Sequence, residues 1–152
     1  MTIPRFYVPG PWTSDRITFP EKASHHAMRV LRMRNGDEAE VFDGEGRTAR
    51  GRTEFSSEGT VLVAESYPEH GRESPLFITL AQAFVSPDKM EWITEKAVEA
   101  GASRIVFFPA ARSVTKLSGD KLTKRLEKLR ATAVSACEQC GRSRIPEIEA
   151  FV

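Results

Sequence analysis

Residues 76–85 read LFITLAQAFV, followed by SPDKMEWITEKAVEAG over 86–101 and ASRIVFF over 102–108. The first run is apolar almost without a break, the pattern of a strand covered on both faces in a parallel sheet. Ser86 then suits a helix N-cap and Pro87 the first helical position. Met90, Ile93 and Ala97 fall at helical spacing as an inner face, and Gly101 supplies a C-terminal stop. With 105–108 as a second buried strand, 76–108 is a βαβ unit with an expected right-handed crossover. This unit sets the second half of the chain as an α/β domain.

Working toward the C-terminus, residues 119–142 form the longest expected helix. Leu122, Leu126, Leu129, Ala133, Cys137 and Cys140 lie on one side, with Lys121, Lys124, Arg125 and Lys128 largely on others. Gly141 and Pro146 end it, and 147–151 fits a third strand. Two or three parallel strands with two helices leave a sheet edge and apolar helix surface uncovered, so self-association or aggregation is expected.

Toward the N-terminus the texture changes. Residues 68–75 are polar, with Gly71 and two prolines, and mark a domain boundary. Ahead of them lie short alternating strands at 38–42, 47–55 and 60–67. The turns DGEG (43–46) and SSEG (56–59) supply glycines for positive φ. A further strand is expected at 3–8. A helix follows Pro20 and runs to the break at Asn35-Gly36, with Ala23, Ala27, Val30 and Leu31 on its apolar face. Lys22, His25 or His26, Arg29 and Arg32 form a basic stripe on another face. Strands of this number with one helix make a small barrel or sandwich. The fold class is therefore mixed, α+β then α/β, with domains at 1–70 and 74–152.

Composition is that of a folded soluble protein, 40% hydrophobic and 28% charged. No apolar stretch reaches signal-peptide or membrane-spanning length. Two cysteines suit a reducing compartment, and a cytoplasmic location is expected. The net charge of +1 hides two basic blocks. One spans residues 1–36 and holds Arg5, Arg16, Lys22, Arg29, Arg32 and Arg34; the other runs from Arg104 to Arg144 and includes Arg112, Lys116 and Lys121. Such blocks are either solvated helix faces or phosphate contacts, and charge alone leaves both open.

Few constellations carry chemistry. Cys137-Glu-Gln-Cys140 has no second pair to complete a zinc site and sits at a helix's far end, where the dipole disfavours a reactive thiolate. The pair reads as core cysteines, with a redox protein as a distant reading. No metal site is expected, since adjacent His25 and His26 point apart on a helix. Nucleophile-elbow, phosphate-loop and dinucleotide fingerprints are absent. Glu138 and Arg142, four apart, form either a helix-end ion pair or a held guanidinium aimed at a phosphate or a developing base anion.

Taken together, Ile3-Pro-Arg-Phe6, His25-His-Ala-Met-Arg29-Val-Leu-Arg32, Phe42-Asp-Gly44, Asp88-Lys-Met-Glu91, Lys96-Ala-Val-Glu-Ala-Gly101 and Ala136-Cys-Glu-Gln-Cys-Gly-Arg142 resemble the RsmE-type ribosomal RNA methyltransferases. The likeness runs in order from residue 3 to about 149. It implies a PUA-like β-barrel that binds RNA, followed by the N-terminal part of a SPOUT methyltransferase domain, and a homodimer. It implies methylation of ring nitrogen 3 of a uridine in small-subunit ribosomal RNA, with S-adenosylmethionine as cofactor. By resemblance, Arg5, His25, Arg29, Arg32, Lys89, Lys96 and Arg112 are RNA-binding residues, and Glu99 lies near the cleft. Arg142, Glu138 and Gln139 are the catalytic candidates on the substrate side. The family's Gly-rich Ile-Gly-Pro-Glu-Gly-Gly loop and later Leu-Arg-x-Glu-Thr-Ala segment, tied to the cofactor and the knot, do not occur in these residues. The 152-residue chain alone is therefore expected neither to bind the cofactor nor to methylate. The alternative is a non-catalytic ribosomal-RNA-binding module.

Overall fold

A computed structural model describes residues 2–69, 71 and 73–152. His70 and Arg72, within the stretch read as a boundary, lie outside the described residues. The chain divides into two compact units, Met1–Gly71 and Arg72–Val152.

The first unit is built on a five-stranded sheet: β1 (Arg5–Tyr7), β2 (Arg16–Thr18), β3 (Glu38–Phe42), β4 (Thr48–Ser56) and β5 (Gly59–Ser66). The order is β1-β3-β4-β5-β2, with β1 parallel to β3 and the other pairs antiparallel. β2 was not expected. It is three residues long with a single buried position, Ile17, too short for alternation to register. No ladder joins the edge strands β1 and β2 among the described residues, so the expected barrel is an unclosed sheet. Its core gathers Phe6, Val8, Ile17, Phe19, Ala27, Val41 and Leu62. At Gly51 the β4 backbone runs so close to β5 that an added Cβ would lie 1.9 Å from the Val63 carbonyl oxygen, beside the register shift between Arg50 and Gly51. Only glycine fits there.

The helix after Pro20 departs from expectation. α1 spans Glu21–His25, and the chain then widens into a π-helical turn, His26–Val30. Leu31 N donates to His26 O at 3.0 Å, and Met33 N to Ala27 O at 3.0 Å. Wider turns advance each side chain by a smaller angle than an α-helix does, so the apolar stripe drifts. Ala27 stays buried, whereas Val30 and Leu31 are 60% and 43% exposed. Their expected place in the core is thus corrected. A buried hydrogen bond of 2.5 Å between the Ser24 and Thr60 hydroxyls ties α1 to β5.

The second unit is a three-stranded parallel sheet, β6 (Thr79–Ala83), β7 (Arg104–Phe108) and β8 (Glu147–Ala150), in the order β6-β7-β8. α2 (Pro87–Glu99) and α3 (Gly119–Cys140) pack against each other. β7 is central, and its Ile105, Val106 and Phe107 are buried. β6, expected to be covered on both faces, is an edge strand with Thr79 and Ala81 exposed. Apolar content shows that a strand wants cover; it does not show which neighbours supply it. α2 buries Met90, Thr94 and Val98 rather than Met90, Ile93 and Ala97, a small rotation that Thr94 tolerates by donating its hydroxyl to the Met90 carbonyl. α3 buries Leu129, Ala133, Ala136 and Cys137 and stops at Gly141, whose φ of 85° closes the helix.

Candidate functional site

The end of α3 carries the residues singled out for chemistry. Arg142 is buried, and its guanidinium is fully engaged in holding the domain. Nε and Nη2 donate to Glu73 Oε2 at 3.1 and 3.0 Å, while Nη1 donates to the carbonyls of Val98 and Ala102 at 3.0 and 2.8 Å. Glu73 Oε1 in turn accepts the backbone N–H of Ser143 and Arg144 at 3.0 and 2.9 Å. Burial alone would raise the Glu73 pKa, but the backbone donors and the guanidinium outweigh it and hold the carboxyl below its ordinary value. Of the two readings left open for Arg142, a helix-end ion pair and a guanidinium aimed at a phosphate or base anion, the second does not describe it: the guanidinium faces inward, onto Glu73 and the carbonyls of Val98 and Ala102. Glu138 is half-buried and Gln139 exposed on the preceding turn.

Glu73 escaped sequence reasoning. It lies in a polar boundary stretch, 69 positions from its partner, and nothing local announces the pairing. The other α2 candidates lie on its exposed side. Lys96 Nζ sits 3.0 Å from Glu99 and 3.2 Å from Glu95, and hydrogen bonds to those carboxylates, Glu99 foremost, raise its pKa. Lys89 is exposed with no ion-pair partner among the described residues. So is Arg112, in the loop after β7. That loop is anchored by Ser113 Oγ donating to the Phe84 carbonyl at 3.2 Å.

In the first unit, His25, Arg29 and Arg32 are exposed, as an RNA-facing role requires, and neither arginine has an ion-pair partner among the described residues. Arg5 differs. Parallel pairing sets it opposite Glu40, its Nε lies 2.6 Å from Oε1, and its guanidinium covers the Phe42 ring at 4.6 Å. With its side chain 10% exposed, Arg5 is part of the sheet's fabric rather than its surface. An open cleft of about 580 Å³ also lies in this unit, lined in part by Arg16, Asn35, Gly36 and Arg52. Arg16 is paired with Glu54 at 2.6 Å and Arg52 Nη1 donates to the Gly36 carbonyl at 3.2 Å, which leaves the cleft without an unengaged cation.

No group of three metal-ligating side chains occurs among the described residues. None of the described helices is long and apolar enough to cross a membrane. Cys137 is buried and its thiol donates to the Arg144 carbonyl at 3.5 Å, in keeping with a core position.

The two units match two family models: an RNA methyltransferase PUA domain over residues 19–65 and an RNA methyltransferase domain over 72–152. The protein thus joins a PUA-like domain to a methyltransferase fold. The chain belongs to the RNA methyltransferase family, and within it to the RsmE type. It is 35% identical over 126 residues to ribosomal RNA small subunit methyltransferase E of Bacillus subtilis, covering 82% of this chain and 49% of that protein. A methyltransferase of Legionella pneumophila, solved with bound S-adenosylmethionine, superposes with a TM-score of 0.91 at 30% identity, over 100% of this chain and 64% of that one. Ribosomal RNA small subunit methyltransferase E of Neisseria gonorrhoeae, also solved with S-adenosylmethionine, gives 0.86 at 30% identity, over 98% and 63%. The chain spans about half the length of the Bacillus protein.

Proposed function

We propose that the whole protein methylates ring nitrogen 3 of a uridine in small-subunit ribosomal RNA, as a cytoplasmic homodimer with S-adenosylmethionine as methyl donor. In this reading, residues 1–70 are the RNA-binding domain and 74–152 the N-terminal half of the SPOUT domain. The observation that carries it is the juxtaposition in one chain of an RNA methyltransferase domain with a PUA-like domain whose Arg29 and Arg32 stand exposed and unpaired among the described residues.

His25, Arg29, Arg32, Lys89, Lys96 and Arg112 are the proposed RNA contacts. Arg5 lends rigidity from within the sheet. Glu138 and Gln139 remain the substrate-side candidates, and Arg142, through Glu73, is the positioning residue that sets the helix end bearing them. When bound, the cofactor supplies an electrophilic methyl group. The 152 residues contribute RNA binding and substrate orientation and are proposed not to transfer methyl alone; a purely RNA-binding module is the second reading, favoured by the inward engagement of Arg142. Calorimetric titration of the 152-residue chain with S-adenosylmethionine tests the division of labour. No stoichiometric heat is expected, and tight one-to-one binding would overturn it.

A further inference from the structure

Residues 28–32 combine features that rarely coincide. Met28, Val30 and Leu31 are 39%, 60% and 43% exposed, three apolar side chains within four positions. Exposed apolar residues are ordinary when scattered and informative when clustered. The backbone beneath them is unusual twice over: a π-helical turn, and Arg32 at φ 53°, the only positive φ outside glycine among the described residues. Such conformations are disfavoured by about 1–3 kcal/mol and concentrate at functional sites. A plain α-helix would have kept Val30 and Leu31 on the Ala23/Ala27 face. The turn instead places them in solvent.

The segment is also held in place. Leu31 N and Met33 N donate to His26 O and Ala27 O, Arg34 N donates to Asp37 Oδ2 at 2.7 Å, and Gly36 N donates to the Thr53 carbonyl at 2.8 Å. The same stretch of chain carries exposed Lys22, Arg29, Arg32 and Arg34, none with an ion-pair partner among the described residues. Exposed apolar side chains interspersed in sequence with unpaired cations suit a polyanion that also presents apolar faces. Paired RNA hides its base faces within the helix, and its deep, narrow major groove admits no side chains; unpaired nucleotides offer both a base face and flanking phosphates.

We propose that residues 28–32 form a knuckle that seizes an unpaired nucleobase of RNA, with Val30 and Leu31 against the base and Arg29 and Arg32 on the neighbouring phosphates. This rests on the reading of the first unit as RNA-binding and specifies what it recognises: single-stranded or bulged nucleotides.

The test is fluorescence anisotropy of the full 152-residue chain with two probes, an RNA hairpin with an unpaired loop and a blunt duplex of the same stem. The double variant Val30→Ser/Leu31→Ser is expected to weaken hairpin binding about tenfold while leaving duplex affinity and salt dependence unchanged. Arg29→Glu/Arg32→Glu is expected to weaken both and to lower the slope of log affinity against log salt by roughly two. Val30→Thr/Leu31→Gln, which keeps size, should reproduce the first result if serine perturbs the fold. Unchanged hairpin affinity, or equal loss on both probes, while the arginine variant still acts, would overturn the base contact alone. Loss of self-association in the apolar variants without loss of RNA affinity would show the knuckle to be a protein contact and overturn it equally. No effect of the arginine variant on either probe would instead bring down the RNA-binding reading.

Discussion

Glu73 and Arg142 form the ion pair that fastens the start of the second unit to the end of its longest helix. One carboxylate oxygen takes the guanidinium at 3.0 Å and the other caps the backbone of Ser143 and Arg144. Arg142 extends the same network to the carbonyl of Val98 in the last turn of α2 and to that of Ala102, just ahead of β7. Three segments distant in sequence therefore depend on one side chain.

Removing the buried partner should be the more damaging change. Arg142→Met strips donors from two carbonyls and leaves a half-buried carboxylate, an expected loss of about 3 kcal/mol. Glu73→Gln keeps shape but loses charge, an expected loss of about 1–2 kcal/mol. Urea unfolding followed by circular dichroism measures both, and an effect of Arg142→Met smaller than that of Glu73→Gln would contradict the arrangement.

The same pair makes stability depend on acid. The Glu73 carboxyl is held below its ordinary value of 4.5, so the folded state favours its charged form. Its contribution is present in full above that ordinary value and drains away as pH falls through the lower folded one. The difference in urea midpoint between the parent chain and Glu73→Gln should be constant near neutrality and shrink below about pH 4.5.

In the first unit, Gly51→Ala puts a methyl group into the Val63 carbonyl. Neither strand can yield without breaking the β4–β5 ladder, so a loss of about 3 kcal/mol or more is expected. Trp12 packs against this unit's core, and its fluorescence reports the transition.

Leu76 and Phe77, 65% and 73% exposed, lie just ahead of edge strand β6. Leu76→Ser/Phe77→Ser should reduce concentration-dependent association of the 152-residue chain in sedimentation velocity, with little change in unfolding midpoint. Unaltered association would place the sticky surface elsewhere.

Much of this architecture was legible because it rests on local rules. The Ser-Pro helix start at 86–87 and the glycine stops at 101 and 141 mark α2 and α3 at sites where the structure has them, and the apolar run at 76–85 contains β6, which takes up only Thr79–Ala83 of it. What escaped depends on long-range or cumulative geometry. β2 is too brief for a pattern. The π-turn contains no glycine or proline to announce it, and a drift of a few tens of degrees moved Val30 and Leu31 from core to solvent. Arg5 was read as a phosphate contact and Arg142 only beside Glu138, because the partners Glu40 and Glu73 lie 35 and 69 positions away.

The proposed product of the whole protein is 3-methyluridine in small-subunit ribosomal RNA. Mass spectrometry of nucleosides from that RNA, purified from cells with the gene intact, deleted and restored, tests it directly. 3-Methyluridine is expected to disappear on deletion and to return on restoration; an unchanged level in the deletion strain would contradict methylation of that position by this protein.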